Sequence, residues 1–569
     1  MANLNISSKR ARTYDAIVIG SGASGGWAVK ELCDAGLKTL CLDRGWNVKH
    51  IEDYPTASKA PWEFEFRGSV PIEQRAGLSG GRWLRAQTIH WAMSEDEQPV
   101  IYEKPFSWFR GYHVGGKSKL WARQTQRWSD YDFEGPARDG FAVDWPIRYA
   151  HLAPWYSHVE KFAGISGEKD GLAVLPDGEF LPSFGMNVVE QHFKESIKKH
   201  YGDTRHLIYG RVAHITEPQQ IHVDQGRGKC MVQNMCNRGC ILGGYFSSNA
   251  STIPWALRTG NLTMRPDAVV ESIIYDEDKG RAVGVRIIDR LTREPIEFYA
   301  NIIFVNASTI NSNAILLNSK SNRFPNGLGN DSGLLGKFLT WHNYRGHANA
   351  QVEGFAHKKT AGRRPTNAYI PRFRNVEKQE TDFLRGYAVG VSAGRGSGSN
   401  TSLFGDALRD SILKPELNEN WYISTWMMGE CVPYEENHLR LHDNLTDKYG
   451  IPQIILSAEW KENDIKQADD YCEQMLEMFE KAGYKNGAAM NRDTQPGSDI
   501  HEMGGVRMGY DPKTSLLNKW NQLHAVKNVF ITDGACMTSG GTQNPTLHFM
   551  ALTARAANFA VDELKKGNI

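Results

Sequence analysis

Apolar residues gather into short unbroken runs near both ends of the chain. Residues 14–20, with Ala16-Ile17-Val18-Ile19 at their centre, read as a short strand buried on both faces. Residues 27–36 carry helical spacing, and residues 37–43 read as a second strand. Strand, glycine turn, helix, strand is the opening of a doubly wound parallel sheet. Residues 302–305 repeat the buried-strand pattern, and helical spacing follows over 311–317. Residues 529–531 form a strand that ends in Asp533-Gly534, and the last helix runs from about Pro545 to Lys565.

Different periods fill the middle. Residues 262–293 alternate apolar and polar positions around turn formers at 276–278 and Asp289, which predicts a β-meander. Asp144-Trp145-Pro146 opens a helical region that reaches about Phe162, and an amphipathic helix fits residues 462–482. Residues 344–428 hold strand-like pieces interrupted by a Gly/Ser-rich loop at 394–399. Residues 52–105 show no period and read as irregular. The predicted fold class is therefore α/β. One discontinuous nucleotide-binding domain of the doubly wound, Rossmann-like type takes residues 1–155, 210–335 and 491–569. An α+β substrate domain built on an antiparallel sheet is inserted as residues 156–209 and 336–490.

Composition excludes classes rather than choosing one. The chain has 569 residues, with 66 Lys plus Arg against 65 Asp plus Glu, a net charge of +1. That balance leaves no electrostatic footprint for nucleic acid or an anionic membrane surface. No run approaches the ~18 apolar residues of a membrane span, so no direct membrane insertion is expected. The polar start, with Lys9, Arg10 and Arg12, lacks the apolar core of an export signal. Eight cysteines in a chain this long do not make a disulfide framework. Cys33, Cys41, Cys431, Cys472 and Cys536 are scattered and read as inert thiols.

The chemistry is concentrated in a few motifs. Gly20-Ser21-Gly22-Ala23-Ser24-Gly25 is a GxGxxG turn between strand and helix, where a pyrophosphate can approach N–H groups at a helix start. Asp43, with Arg44 beside it, closes the next strand, where a carboxylate can hold ribose hydroxyls; an acid there argues against a 2′-phosphate. His501 lies in Ile500-His501-Glu502-Met503-Gly504-Gly505, and Asn544 precedes Pro545-Thr546. Asn before Pro predicts an N-cap with Pro at the first helical position, so Asn544 reads equally as a plain cap. Together His501 and Asn544 place a base and a polar partner beside a positive helix end.

These residues, with Arg110-Gly111-Tyr112-His113-Val114-Gly115-Gly116-Lys117-Ser118, carry a resemblance. The chain resembles the glucose–methanol–choline (GMC) oxidoreductases, FAD-dependent enzymes that oxidise alcohols and sugars. The resemblance implies that Gly20, Gly22, Ala23, Ser24 and Gly25 hold the FAD pyrophosphate, and that Asp43 and Arg44 border the adenosine ribose. It implies that Arg110, Gly115, Gly116 and Ser118 pass under the flavin, and that Asp533, Gly534, Pro545 and Thr546 complete the cofactor site. His501 would be the base that takes the substrate hydroxyl proton as hydride passes to flavin N5, with Asn544 orienting the alcohol. A histidine suits that transfer because its unperturbed pKa lies near neutrality. Leu120 stands where pyranose oxidases carry the histidine that tethers flavin covalently, so non-covalent FAD is expected. Gly505-Val506 replaces the Thr-Cys or Thr-His found in many members, a packing change that leaves His501 in place.

Cys230, Cys236 and Cys240 form a C-x5-C-x3-C trio. Clustered thiolates suit an iron–sulfur cluster, or zinc with His222 as a fourth ligand; free thiols or one local disulfide is the plain alternative. The spacing resembles the three-cysteine [3Fe–4S] site of bacterial FAD-dependent glucose dehydrogenases. Residues 114–167 look most like catalytic subunits of glucoside 3-dehydrogenases, which oxidise the pyranose C3 hydroxyl to a ketone. The resemblance then implies a sugar or glycoside substrate, a cytochrome c subunit as acceptor, and a small companion subunit that carries the export signal to the periplasm. A C1-oxidising aldose dehydrogenase and an O₂-using pyranose oxidase keep the same machinery. An NAD-dependent Rossmann enzyme and a flavoprotein without turnover remain as alternatives of other classes. Trp62, Trp83, Trp91, Trp108, Trp121, Trp128 and Trp145 could stack on sugar rings, though such residues more often pack cores.

Overall fold

A computed structural model describes residues 13–79, 84–358, 365–395, 403–413 and 420–569. The basic start at residues 1–12, Trp83, and residues 396–399 of the Gly/Ser loop lie outside the described residues; residues 394 and 395 end the strand Tyr387–Arg395.

The apolar runs build one seven-stranded sheet. Thr13–Ile19 lies between Thr39–Leu42 and Pro295–Val305, parallel to both. Leu262–Arg265 extends the sheet beyond Thr39–Leu42, and Val529–Ile531 pairs in parallel with Pro295–Val305. The two-residue period divides the first strand between cores. Ala16 and Val18 pack under the helices Ala23–Asp34 and Thr546–Lys565, while Ile17 and Ile19 face the larger core with Trp27 and Val305. The meander is smaller than predicted. Leu262–Arg265 belongs to the parallel edge, because Asp267 at φ 55° turns the chain before Ala268–Asp276 begins. Ala268–Asp276, Arg281–Asp289 and the first half of Pro295–Val305 form the antiparallel part.

The first helix begins at Ala23, with Gly22 at its N-cap, rather than at Trp27. Gly25 and Gly26 have poor helix propensity, so spacing alone hides this turn. A Cβ on Gly25 would lie 1.9 Å from the Gly20 carbonyl oxygen, so glycine there lets helix and strand meet.

A second, six-stranded antiparallel sheet carries Ala368–Ile370, Tyr387–Arg395, Trp421–Glu430, Gly346–Val352 and Lys485–Asn491 in that spatial order. His342–Asn343 pairs with the end of the long strand, His342 opposite Glu430. The helices Glu462–Lys481 and Val188–Tyr201 supply Tyr471, Met475, Met478, Val189 and Phe193 to its core. No helix among the described residues is long and apolar enough to cross a membrane.

A buried ionic network joins the two sheets' surroundings. Arg372 Nη2 bridges Glu430 Oε2 at 2.9 Å and Asp132 Oδ1 at 3.0 Å. Arg385 Nε reaches Glu430 Oε2 at 2.8 Å, and its Nη1 reaches Asp139 at 2.7 Å. Asp132 and Asp139 belong to the helix Asp130–Asp139, where Gly135 leaves room for the guanidinium: a Cβ there would sit 2.4 Å from Arg385 Cζ. Burial pushes the Glu430 pKa up, but Arg385 and Arg372 more than offset it and leave it below its ordinary value. Removing one partner from such a network leaves uncompensated buried charge. Glu430→Gln is expected to cost about 3–5 kcal/mol, measured by denaturant unfolding; an unchanged midpoint would show that the network is dispensable.

Candidate functional site

The motifs meet around one cavity of about 600 Å³, a size typical of small-molecule and cofactor sites. Its walls come from the glycine turn, residues 108–124, residues 306–315 after the central strand, residues 499–502 and the start of the last helix.

The glycine turn is shaped by contact. Gly20 has φ 95°, and a Cβ there would lie 2.2 Å from Asn306 O, whereas nothing stands within 4 Å of a Cβ on Gly22. Gly22, Ala23 and Ser24 therefore open onto the cavity at a helix N-terminus. Gly25 packs behind them and does not line it. Asp43 is buried; its Oδ1 accepts from Gly45 N at 2.9 Å, and its Oδ2 accepts from the Ser21 hydroxyl. Burial raises its pKa, opposed by those hydrogen bonds. Ser21 Oγ also accepts from Gly115 N at 2.7 Å, so two motifs far apart in sequence are held in register. Gly116 and Ser118 line the cavity; Gly115 stands behind them, with no room for a Cβ beside Asn249.

Arg44 and Arg110 both border the cavity and also hold its walls. Arg44 Nη2 donates to Glu97 O at 2.6 Å and its guanidinium lies over Tyr112. Arg110 donates to Ser79 Oγ at 3.2 Å and to Gln98 O. Asp533 is similar: its oxygens accept from Ser312 Oγ at 2.5 Å and Ala535 N at 3.0 Å, and burial pushes its pKa up to about 6. An open glycine, a helix start and a carboxylate on one cavity fit FAD; Gly22, Ala23 and Ser24 would hold its pyrophosphate and Asp43 its ribose. Leu120 lines the same cavity and offers no nitrogen for a covalent tether.

The reactive pair lines the same cavity. His501 Nε2 lies 3.4 Å from Asn544 Nδ2, and both residues line the cavity. The cap reading of Asn544 fails: Pro545 is the N-cap of the helix Thr546–Lys565, and no side chain caps it. Asn544 instead turns its amide to His501. Ile500 holds φ 67°, an outlier for a β-branched residue, and this turn separates Asp499 from His501. Sequence reading missed His342, whose Nδ1 is 2.9 Å from His501 Nδ1, and Asp499, whose Oδ2 is 3.6 Å from the same nitrogen. It also missed Gln124 and Asn367, a cavity-lining amide pair at 2.6 Å. A lone His in a Trp-His-Asn triplet and an acid two places before His501 carry no local period that would reveal them.

All eight cysteines are free thiols, with Cys230, Cys236 and Cys240 partly exposed. Among the described residues the one group of three His, Cys, Asp or Glu donors within 4.8 Å of one another is His342, Asp499 and His501. The three cysteine sulfurs do not all lie within 4.8 Å of one another. His222 is hydrogen-bonded at both nitrogens: its Nδ1 accepts from Gln219 N at 3.0 Å, and its Nε2 bonds Lys161 O at 3.0 Å. Asn237, between two of the cysteines, lines the cavity, accepts from Trp91 Nε1 at its carbonyl and from Arg123 at its side chain. Trp91, Trp128 and Trp145 are buried packing, Trp108 and Trp121 line the cavity, and Trp62 is exposed.

The glycine turn, the paired His and Asn, and the second antiparallel sheet define a flavoprotein oxidoreductase fold. The chain matches the family models of the GMC oxidoreductases over residues 15–343 and 433–553 and belongs to that family. GMC oxidoreductases bind FAD and act on the CH–OH groups of alcohols and sugars, which removes the nicotinamide alternative. The chain is 29% identical over 567 residues to 2-methyl-1,2-propanediol dehydrogenase of Mycolicibacterium austroafricanum, covering 96% of this chain and 94% of the relative. It is 24% identical to the fructose dehydrogenase large subunit of Gluconobacter japonicus, covering 98% and 100% of the two. Pyridoxine 4-oxidase from Mesorbium loti shares the fold at a TM-score of 0.57 and 14% identity, over 96% of this chain and 98% of that one.

Burial also makes a pH prediction. His50, His90, His342 and His347 are each held down to about 4 by desolvation. They stay neutral in the folded chain, whereas an unfolded chain binds their protons near 6.5. Their stabilisation is complete above that value and is lost as pH falls towards 4. Thermal unfolding is expected at lower temperature at pH 5 than at pH 7.5, and a midpoint that does not move would contradict this burial.

Proposed function

We propose that this enzyme oxidises a secondary hydroxyl of a pyranose sugar or glycoside, at C3, to a ketone. The observation that carries the reading is a base and its amide partner on the same cavity as a set of polar side chains. His501 Nε2 and Asn544 Nδ2 lie 3.4 Å apart on its wall, and Gln124, Asn367, Arg123 and Asn237 line it too, groups suited to a substrate with several hydroxyls. In that reading Asn544 holds the substrate oxygen, and His501 Nε2 takes its proton. Non-covalently bound FAD, when present, supplies the acceptor for the hydride. His501→Ala and Asn544→Ala are expected to lower turnover by about 10²–10⁴-fold while flavin content is kept. Full turnover in either variant, measured with an artificial dye as acceptor, would sink the assignment. Product analysis separates the alternatives. A methyl glucoside has no free anomeric hydroxyl, so a 3-keto product supports C3 oxidation and no product supports an aldose 1-dehydrogenase.

We also propose that Cys230, Cys236 and Cys240 hold a [3Fe–4S] cluster that gives electrons an exit to a cytochrome-type subunit, with a small companion subunit and a periplasmic site of action. The number of cysteines suits this, because each cysteine of a three-iron cluster binds a different iron. Arg123 and Arg227 act electrostatically on Cys230 and Cys240 and would offset a cluster's negative charge. Purified protein is expected to contain three irons per chain in this reading, about the count its cluster requires. Cys240→Ser should lose iron but keep flavin. Iron-free yellow protein that consumes O₂ without dye would favour the oxidase alternative.

A further inference from the structure

The hydrogen bonds around His501 determine where its proton sits. His342 is fully buried, and its Nε2 lies 3.1 Å from the carbonyl oxygen of Gly541. A carbonyl only accepts, so that Nε2 carries the hydrogen. Burial holds the His342 pKa down to about 4, so the ring is neutral at ordinary pH and its Nδ1 is a bare acceptor. The 2.9 Å contact between the two Nδ1 atoms then requires the hydrogen on His501. Nε2 of His501 is left without one. The other side of the ring agrees: Asn544 Nδ2, an amide donor, points at that nitrogen from 3.4 Å.

We propose that His342 is a positioning residue that fixes His501 as the Nδ1–H tautomer, with Nε2 bare towards the cavity, and that Asp499 balances the charge when Nε2 takes a proton. The proposal rests on the reading of His501 as the base. The bookkeeping is one proton: the substrate O–H bond breaks, an N–H bond forms at Nε2, and the Nδ1 hydrogen stays on its bond to His342. The resulting imidazolium faces Asp499 Oδ2, 3.6 Å from Nδ1. Asp499 is fixed by the His342 backbone N–H at 2.9 Å, so one residue orients both the ring and its counter-charge. The charged groups facing His342 are Asp499, whose Oδ2 lies 3.9 Å from its Nδ1, Glu430 from the neighbouring strand, which favours its protonation, and Arg372, which opposes it. Without the lock the ring could carry its hydrogen on Nε2, and a histidine in that tautomer cannot accept there. His342, Asp499 and His501 are also close enough to chelate a cation, but a metal would have to replace the hydrogen bond between the rings.

Nitrogen NMR of the FAD-loaded protein labelled with ¹⁵N-histidine reads the tautomer directly, with His501→Gln identifying the signals. Wild type is expected to show His501 protonated at Nδ1. His342→Phe, which fills the space but accepts nothing, should shift the ring towards the Nε2–H form. In rapid mixing with substrate it should slow flavin reduction by about 10–10²-fold, with substrate affinity unchanged. His342→Asn, whose carbonyl can accept the Nδ1 hydrogen, should recover part of that rate. An Nε2–H signal in wild type overturns the proposal, as does His342→Phe with unchanged tautomer and rate. So does a stoichiometric metal whose removal alters the His501 signals. If His342→Phe does not fold, the wild-type spectrum and His342→Asn still decide. Full rate in His501→Gln would instead overturn the base reading, whatever the tautomer.

Discussion

Glu430 is completely excluded from water between two guanidinium groups, and a charge so placed cannot lose a partner without costing several kcal/mol. That requirement sets the geometry of much of the molecule. Arg372 and Arg385 turn from Glu430 to Asp132 and Asp139, so a helix of one half is held against the sheet of the other. Asp132 also accepts from Gln543 Nε2 at 2.9 Å, one residue before Asn544. The strand residue opposite Glu430 is His342. Packing, domain contact and catalytic geometry therefore share one set of buried charges, and the segments bearing Asn544 and His342 are both placed by it.

Around that frame the cavity divides its tasks. The backbone of the glycine turn, open at Gly22, offers a helix start to an anion, while Asp43, Ser21 and Gly115 hold the surrounding segments together. Around His501 the side chains do the work. A strained turn at Ile500 presents His501 to the cavity with Asp499 beside it, and the last helix opens with Asn544 turned away from the capping position. Strain of this kind is retained where surrounding structure over-determines it, as the hydrogen bonds through His342 do here.

Most of this fold was legible in the chain because the strands are short, apolar and separated by glycine, and because period 2 and period 3.6 differ clearly there. Gly20, Gly22, Asp43, His501 and Asn544 could be found because each sits in a local motif. His342, Gln124 and Asn367 could not, since their roles arise from contacts between segments far apart in the chain. The early start of the first helix was hidden by Gly25 and Gly26, whose purpose is close approach rather than propensity. Asn544 reads equally as a cap from its neighbours alone for a similar reason. The dipeptide Asn-Pro describes a local preference, and the ring of His501 overrides it.

The Gln124–Asn367 pair has a different kind of importance. It joins a segment beside the cofactor wall to one just ahead of the strand Ala368–Ile370, and it takes no part in the Glu430 network. A change there uncovers none of the buried charges around Glu430. In the proposed reading, where this wall meets the substrate's hydroxyls, the choice of substrate and the machinery of oxidation therefore rest on separate sets of contacts.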